Sequence, residues 1–339
     1  MITKGLVDIQ VNGFAGVDFN DPGITPDAMD HALEAMLVSG VTTCLPTIIT
    51  AHRNELEARF AALDRAVGES RLGPLMCPGY HLEGPFLNPA DGFSGCHPAN
   101  AMIAADPELV IALQEMIERP ILLVTVAPEV HGGLDFIKAM RASDRLVSIG
   151  HSSANNQIVT AAAEAGAALS THLGNGLPQI LPKLDNPLFA QLAEDRLLAT
   201  FIADGIHMPP YVLKSLIRAK GFERSALVTD AVAAAAAPAG TYAFAGMHVD
   251  RTQDGTVSQS GATGLAGSSL CLDDAVRNLV RWNIATFDQA VEMASARLMH
   301  VLAPVLKAHG VTLADSELEW SDTLAVTRVR IGNEERFFR

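Results

Sequence analysis

Hydrophobic and polar positions along the chain follow two alternating patterns. Short continuous apolar runs of the kind that form buried strands occupy residues 5–12, 41–46, 75–83, 121–127, 146–150, 168–172, 198–203 and 225–229. Between most of them apolar residues recur at every third or fourth position, which predicts helices at 26–38, 52–67, 107–117, 133–141, 155–165 and 209–219. Strands that alternate with helices in this way indicate a (β/α)8 barrel rather than an open sheet.

The pattern changes after the last of these strands. Residues 241–257 alternate around an Asp-Gly turn, which predicts an inserted β-hairpin. The later patterns predict two helices and a second hairpin, at 268–281, 286–302 and 322–338. We therefore expect two domains, a catalytic barrel of residues 1–302 and a C-terminal extension of residues 303–339.

Three residues with metal-binding side chains stand where predicted strands end. They are Glu83, His151 and His172. Because the carboxyl ends of parallel strands share one edge of a barrel, these side chains can converge there. One glutamate and two histidines suit a catalytic zinc whose fourth position is open for water. The alternative without a metal is a surface carboxylate and two strand-end histidines with hydrogen-bonded rings.

The bulk composition narrows the class of partner. The 339-residue chain has a formal net charge of −14 and a pI near 5.1, so its long-range field repels polyanions. Binding to nucleic acid or to an anionic membrane is therefore not expected, and no apolar run reaches the ~18 residues of a membrane span. Cys44, Cys77, Cys96 and Cys271 are widely spaced without a CxxC pair, which is typical of reduced thiols and predicts a cytoplasmic protein.

Seven short motifs follow one another in a fixed order along the chain. They are residues 10–12, 81–86, 150–152, 171–175, 203–207, 228–231 and 265–268. In this order they resemble the N-acetylglucosamine-6-phosphate deacetylases, a branch of the amidohydrolase superfamily of metal-dependent barrels. The resemblance covers about residues 5–302. Most amidohydrolases carry His-x-His at the end of the first strand, whereas the deacetylase branch replaces it, and this sequence has Gln10 and Asn12 there.

The resemblance implies a metal-dependent (β/α)8 barrel with a small accessory β-sandwich. In the family, that sandwich combines a longer N-terminal segment with the C-terminal tail. This sequence starts at the first predicted barrel strand. We therefore expect the sandwich to be reduced to the hairpins at 241–257 and 322–338, or to be absent.

The resemblance also implies roles for individual residues. Asp230 is the general base that takes a proton from water and later delivers it to the leaving amine, and His97 polarises the acyl carbonyl. Contacts to the sugar are expected from His207, Asn175, Gly176, Gly267 and Ser268. Local sequence leaves other interpretations open: Asp230 can form an Asx turn, His97 can be an ordinary loop residue, and Ser268 can cap the helix that follows.

One segment departs from the family pattern. The family has an arginine that helps to hold the sugar phosphate, after the strand that ends in Thr-His-Leu. The aligned stretch of this chain carries Asp185 instead. Lys183 is close in sequence and is the expected substitute, although its ammonium lacks the bidentate fork of a guanidinium.

The predicted reaction is hydrolysis of the acetamide of an N-acetyl amino sugar, with N-acetylglucosamine 6-phosphate as the expected substrate. Asp185 keeps open an unphosphorylated or other N-acyl sugar, and a non-catalytic sugar-binding protein is a third interpretation. The expected cofactor is one divalent metal, namely zinc, with Fe2+, Co2+ or Mn2+ as alternatives, because Gln10 and Asn12 are poor ligands for a second ion. Family members are commonly dimers, so a homodimer is expected.

Overall fold

The computed structural model describes residues 1–262 and 264–338, and its centre is an eight-stranded parallel sheet. The strands in chain order are β1 (Ile2–Thr3), β2 (Leu6–Val11), β3 (Gly13–Phe14), β4 (Val17–Asp18), β5 (Val41–Ile49), β6 (Tyr80–Glu83), β7 (Ile121–Val126), β8 (Leu146–Ile149), β9 (Leu169–Ser170), β10 (Leu198–Phe201), β11 (Ser225–Leu227), β12 (Gly240–Phe244), β13 (Met247–Arg251), β14 (Val257–Gln259), β15 (Ser316–Trp320), β16 (Val326–Ile331) and β17 (Glu334–Phe337). The central sheet has the order β2, β5, β6, β7, β8, β9, β10, β11. A parallel bridge between Val11 and Ala231 joins its two ends. The predicted (β/α)8 barrel is confirmed.

Helices cover the outside of the barrel. They are α1 (Pro26–Val38), α2 (Arg53–Glu69), α3 (Gly73–Met76), α4 (Pro107–Glu115), α5 (Gly133–Ala142), α6 (Asn156–Ala165), α7 (Pro187–Ala193), α8 (Pro210–Lys220), α9 (Leu272–Arg281), α10 (Phe287–Met293) and α11 (Ala296–Ala308). Apolar side chains such as Leu33, Leu63 and Leu213 are fully buried on their inner faces. Within the two described ranges, no helix has the length and apolar character needed to cross a membrane.

Two short helices were not predicted from the sequence. Helix α3, with Pro74 in its first turn, occupies the start of the strand predicted at 75–83, so that β6 begins at Tyr80. Helix α7 lies between β9 and β10, where the Asn186 side chain caps it and Pro187 is its first residue. Helices of four and seven residues are too short for apolar spacing to reveal them.

The helix predicted at 286–302 is in fact two helices, α10 and α11. The break falls at Ser295, whose hydroxyl donates to the carbonyl of Val291 at 2.7 Å. Helix α11 continues to Ala308 and therefore runs across the predicted domain boundary. The division into residues 1–302 and 303–339 remains a prediction.

Three small antiparallel sheets accompany the barrel. Strands β12, β13 and β14 form the first at the predicted insertion, β1, β15, β16 and β17 form the second, and β3 and β4 form the third. In the second sheet Ile2 pairs with Glu319, and the indole of Trp320 donates to the Thr3 hydroxyl at 2.8 Å. The first residues of the chain are thus joined to its tail. Antiparallel strands are present at both predicted hairpins, and β1, β14 and β15 extend them beyond what the sequence predicted.

Lys220 ends α8 with only 1% of the residue exposed. Its ammonium donates to the carbonyls of Gln191, Leu192 and Glu194, at 2.9, 3.4 and 2.7 Å. Burial lowers the pKa of Lys220 to about 8. These three carbonyls lie at the C-terminal end of α7, where a helix lacks internal donors. Lys220 therefore fixes the end of α7 to α8.

Replacing Lys220 by Met is expected to lower the free energy of unfolding by about 2–4 kcal/mol, because three buried carbonyls lose their donor. Urea denaturation of the purified protein measures the difference. The same substitution at Lys214, which is half-buried on the same helix, is the control and should change stability by less than about 0.5 kcal/mol. Equal losses in the two variants would contradict this role of Lys220.

Candidate active site

Four of the predicted site residues meet at the carboxyl ends of the barrel strands. Glu83 is the last residue of β6, and His151, His172 and Asp230 follow β8, β9 and β11 within three residues. The last three have φ angles of 51°, 30° and 50°, in the left-handed region that side chains rarely adopt. Such local strain is concentrated at functional sites. All four line a cavity of about 480 Å³.

The geometry around Glu83 fits a bound cation. The Oε1 atom of Glu83 lies 3.4 Å from Nε2 of His151 and 3.1 Å from Nε2 of His172. Two ligands held about 2.1 Å from a tetrahedral zinc are about 3.4 Å apart, so each of these two separations from Glu83 matches one edge of such a site. Burial alone would raise the pKa of Glu83, but the histidines beside it, with His172 at hydrogen-bond distance, hold that pKa well below its usual value.

The hydrogen bonding of His151 supports the same conclusion. Its Nδ1 lies 2.7 Å from the carbonyl of Phe93 and must donate to it, because a carbonyl only accepts. In the uncharged form that a metal ligand requires, the lone pair of Nε2 points towards the Glu83 carboxylate, and two acceptors face each other. Among the described residues Nε2 of His151 has no hydrogen-bond partner. A cation between His151 and Glu83 removes this conflict, so these residues fit a divalent metal.

His97, from the long loop after β6, takes the place of His172 in the set of possible ligand atoms that lie close to one another. Potential ligand atoms of Glu83, His97 and His151 all lie within 4.8 Å of one another. Burial lowers the pKa of His97 to about 3, so its ring is neutral. Its Nδ1 lies 2.9 Å from the Thr50 hydroxyl. If Thr50 donates, Nε2 of His97 carries the proton and can donate to a carbonyl; if Thr50 accepts, Nε2 is a free ligand atom.

Asp230 is held by the side-chain amides of Gln10 and Asn12. The Nδ2 group of Asn12 donates to Oδ1 of Asp230 at 2.8 Å, and Nε2 of Gln10 donates to it at 3.3 Å. Gln10 also donates to Oε2 of Glu83 at 3.0 Å. Burial and the neighbouring charge of Glu83 raise the pKa of Asp230 to about 6. The amides of Gln10 and Asn12 therefore act as donors to carboxylates, and the number of metal ions stays a prediction.

Glu129 is a contributor that the sequence analysis missed. Its Oε1 accepts from Nδ2 of Asn88 at 3.0 Å and from the backbone N–H of Ser153 at 2.5 Å, and its Oε2 accepts from the Ser152 hydroxyl at 2.6 Å. The carboxylate therefore ties the loop after β6 to the segment that follows His151. An acid three residues after β7 was the only sequence signal for this role.

Only some of the residues expected to contact the sugar line the cavity. His207, Asn175, Gly176 and Gly267 line the cavity. Nδ1 of His207 lies 2.7 Å from Oδ2 of Asp204, which fixes the imidazole. The other two expected contacts, Lys183 and Ser268, are not among the residues that line it.

Those two residues have other surroundings. Lys183 is exposed on the loop before α7. Ser268 is 2% exposed, and its hydroxyl donates to the carbonyl of Thr229 at 2.6 Å. Ser268 does not cap α9, because that helix begins four residues later with Cys271 at its N-cap position. Any contact of Ser268 or Lys183 with a sugar therefore stays a prediction.

Asp8 is a fully buried carboxyl below the site, and Thr229 donates to its Oδ2 at 2.5 Å. Burial raises the pKa of Asp8 to about 7, from an ordinary value of 3.8. The folded chain thus holds this proton more tightly than the unfolded chain does. The resulting stabilisation is complete below about pH 4 and is lost as the pH rises through about 7.

Relative to an Asp8→Asn variant, wild-type protein should therefore lose up to about 4 kcal/mol of unfolding free energy between pH 4 and pH 8. Urea denaturation of metal-free protein at several pH values measures this difference, since bound metal would add its own pH dependence. Parallel stability curves for the two proteins would show that Asp8 is ionised in the folded chain.

Known proteins resemble this chain over most of its length. It is 34% identical over 306 residues to the N-acetylgalactosamine-6-phosphate deacetylase of Escherichia coli O157:H7, which covers 89% of this chain and 78% of the relative. It is 30% identical over 339 residues to the N-acetylglucosamine-6-phosphate deacetylase of Bacillus subtilis (strain 168), covering 98% and 84%. No family model matches the chain.

A solved structure extends this similarity to the fold. A mutant N-acetyl-D-glucosamine-6-phosphate deacetylase from Mycobacterium smegmatis, in complex with N-acetyl-D-glucosamine-6-phosphate, superimposes with a TM-score of 0.87. The sequences are 27% identical, and the match covers 98% of this chain and 86% of the other. On these similarities in sequence and structure, the chain belongs to the N-acetylglucosamine-6-phosphate deacetylase family.

Proposed function

We propose that the protein hydrolyses the acetamide of N-acetylglucosamine 6-phosphate, giving glucosamine 6-phosphate and acetate. The observation that carries the proposal is the convergence of Glu83, His151 and His172 with Asp230 at one end of the barrel. A metal-holding cluster beside a buried carboxyl group supplies the Lewis acid and the general base that metal-assisted hydrolysis of an unactivated amide uses. Family membership and the cavity of about 480 Å³ support a small substrate of this kind.

Glu83, His151 and His172 would hold the divalent metal, which supplies Lewis-acid activation of water and of the amide carbonyl. Zinc fits the nitrogen and oxygen ligands, and Fe2+, Co2+ and Mn2+ are alternatives. In its Nε2–H tautomer, His97 donates a hydrogen bond to the carbonyl oxygen as negative charge develops there.

Asp230 carries the proton in this proposal. As a carboxylate it accepts a proton from the attacking water, and it then delivers that proton to the amide nitrogen so that the amine can leave. Its pKa of about 6, raised by burial and by Glu83, suits a group that both accepts and returns a proton near neutral pH. Asn12 and Gln10 orient the carboxylate without competing for its proton, because their amide groups only donate to it.

The proposal includes a homodimer in the cytoplasm. Support for a partner subunit comes from the loop beside the pocket, where Ile180 and Leu184 are 90% and 70% exposed. Leu177 and Pro178 of the same loop line the cavity. A second subunit that covers Ile180 and Leu184 would hold this loop, with Lys183, against the pocket, and it could also bring a positively charged side chain of the second subunit. Either positive charge offers a way to bind a phosphate despite Asp185.

A second candidate substrate is N-acetylgalactosamine 6-phosphate. It is favoured by the 34% identity to a relative with that name, which exceeds the 30% identity to the glucosamine enzyme from Bacillus subtilis. The two sugars differ only in the configuration at C4, so the same chemistry serves both. Asp185 favours an unphosphorylated sugar as a third candidate, because a carboxylate repels a phosphate.

Acetate release by zinc-loaded protein from the two 6-phosphates and from plain N-acetylglucosamine tests the proposal. We expect the highest kcat/KM for N-acetylglucosamine 6-phosphate. A preference for the galactosamine isomer would change the sugar and keep the chemistry, and equal turnover without the phosphate would refute phosphate recognition. Binding of metal and sugar without acetate release from any of them would favour a non-catalytic sugar-binding protein.

A further inference from the structure

The β12–β13 hairpin contributes one wall of the catalytic cavity. Phe244, the last residue of β12, is 1% exposed and lines the cavity together with Ile49 and Cys96. Phe244 and Ile49 belong to a small apolar cluster that is separate from the main core of the barrel, and Cys96 packs against it. Phe244, Ile49 and Cys96 thus form an apolar wall of the site.

The apolar wall adjoins the group proposed to bind the acyl carbonyl. Cys96 directly precedes His97, and Thr50, which follows Ile49, lies 2.9 Å from Nδ1 of His97. The methyl group of an acetamide is bonded to the same carbon as the carbonyl oxygen. If His97 holds that oxygen, the wall formed by Phe244 and Ile49 is the adjoining apolar surface available to the methyl group.

The turn that carries Phe244 is strained. Phe244 pairs with Met247, so that Ala245 and Gly246 form a two-residue turn with φ angles of 51° and 87°. Such a turn favours Asn-Gly or Gly-Gly, because a residue with a Cβ atom is disfavoured at positive φ. An alanine in this conformation needs support from its surroundings.

That support comes from two buried charged residues on other elements. The N–H of Ala245 donates to Oδ2 of Asp18 at 2.6 Å, and Nη2 of Arg59 donates to the carbonyl of Ala245 at 3.0 Å. Asp18 ends β4 and Arg59 lies in α2, and they are only 8% and 7% exposed. The N–H and the carbonyl group of Ala245 are thus both hydrogen-bonded to side chains outside the hairpin.

We propose that Asp18 and Arg59 are positioning residues that fix the hairpin tip, seat Phe244 in the cavity and so limit the size of the acyl group. The inference rests on the proposed deacetylase function. Neither residue lines the catalytic cavity, so both act through Ala245 and Phe244. Loss of either bond frees the tip, moves Phe244 out of the wall and makes room for a longer acyl chain.

Steady-state kinetics with N-acetyl- and N-propionylglucosamine 6-phosphate test this inference. For Arg59→Met and Asp18→Asn we expect the KM for the acetyl substrate to rise about tenfold with kcat within about threefold. The propionyl-to-acetyl ratio of kcat/KM should also rise about tenfold. Arg59→Lys, which keeps a donor, should restore most of the wild-type values, and Arg65→Met, an exposed arginine on the same helix, should match wild type.

Hydrogen exchange at the Ala245 amide provides a second readout that does not depend on activity. Exchange should be faster in Asp18→Asn and Arg59→Met. Phe244→Ala removes the wall and leaves the backbone bonds of Ala245, so it should relax acyl preference without faster exchange. Because these variants lie on different elements, a folding failure in one of them leaves the others to decide.

Two results would overturn the inference. One is unchanged acyl preference in folded Asp18 and Arg59 variants, whether or not exchange is faster. The other is a loss of kcat with unchanged KM, which would place the effect on the reacting groups. If wild-type protein releases no acetate, the proposed function fails by itself. Faster exchange at Ala245 would then still support the positioning of the tip, and unchanged exchange would reject it.

Discussion

Replacing Asp230 by Asn is expected to lower kcat by about 10²–10⁴-fold, the contribution typical of a general acid–base group. An amide cannot accept the proton from water or return it to the leaving nitrogen. The folded structure should survive, because asparagine is among the few residues that tolerate the φ of 50° found here. Its carbonyl oxygen can also still accept the hydrogen bond from Asn12. Acetate release under saturating substrate measures the effect.

The control for this substitution is Asp195→Asn. Asp195 is 75% exposed and precedes β10, at the opposite end of the barrel from the site. It should retain wild-type kcat, and both variants should keep the melting temperature of wild type within a few degrees. An Asp230→Asn variant with more than a tenth of wild-type kcat would mean that another group transfers the proton.

Replacing Glu83 by Gln is expected to weaken metal binding by more than about 100-fold. Altering a residue that only supports a ligand typically costs about 10–100-fold in metal affinity, and Glu83 is proposed to be a ligand itself. The substitution keeps the shape of the side chain and removes its negative charge. The Nε2 lone pair of His151 would then face an uncharged amide, and the attraction for a divalent cation falls. Acetate release with one equivalent of metal should fall below detection.

Metal content after dialysis, measured by mass spectrometry beside acetate release, tests the role of Glu83. Glu164→Gln alters a glutamate whose side chain is 66% exposed and serves as the matched control, with expected full metal content and activity. A Glu83→Gln variant that retains one tightly bound metal would place the metal elsewhere. The cluster of Cys271, Asp273 and Asp274 would then be examined, although Arg277 already binds both of its carboxylates.

Gln10 and Asn12 connect these two predictions. In the structure their amides donate to the carboxylates of Glu83 and Asp230. The sequence suggested only that they are poor metal ligands. Their observed role is more specific, because they orient the proposed proton carrier and one proposed ligand at the same time. We therefore infer that the segment at the end of β2 supports the site by hydrogen bonding.

The sequence by itself determined the barrel and the strand ends that carry Glu83, His151, His172 and Asp230. Buried parallel strands need long apolar runs, and the helices that cover them need apolar residues at helical spacing. Both patterns can therefore be recognised within a short stretch of sequence. Once eight such units form a barrel, the residues after the strands must share one rim. The order of the motifs then identified the family, which the similarity to known deacetylases confirmed.

Only the tertiary structure decided which distant residues support that rim. Glu129 joins two loops, Lys220 holds the end of α7, and Asp18 and Arg59 meet at Ala245, although these partners are far apart in sequence. Such contacts depend on how the elements pack, and no local period or turn signal encodes them. The same is true of short elements such as α7 and β15, whose stability comes from their neighbours rather than from their own sequence.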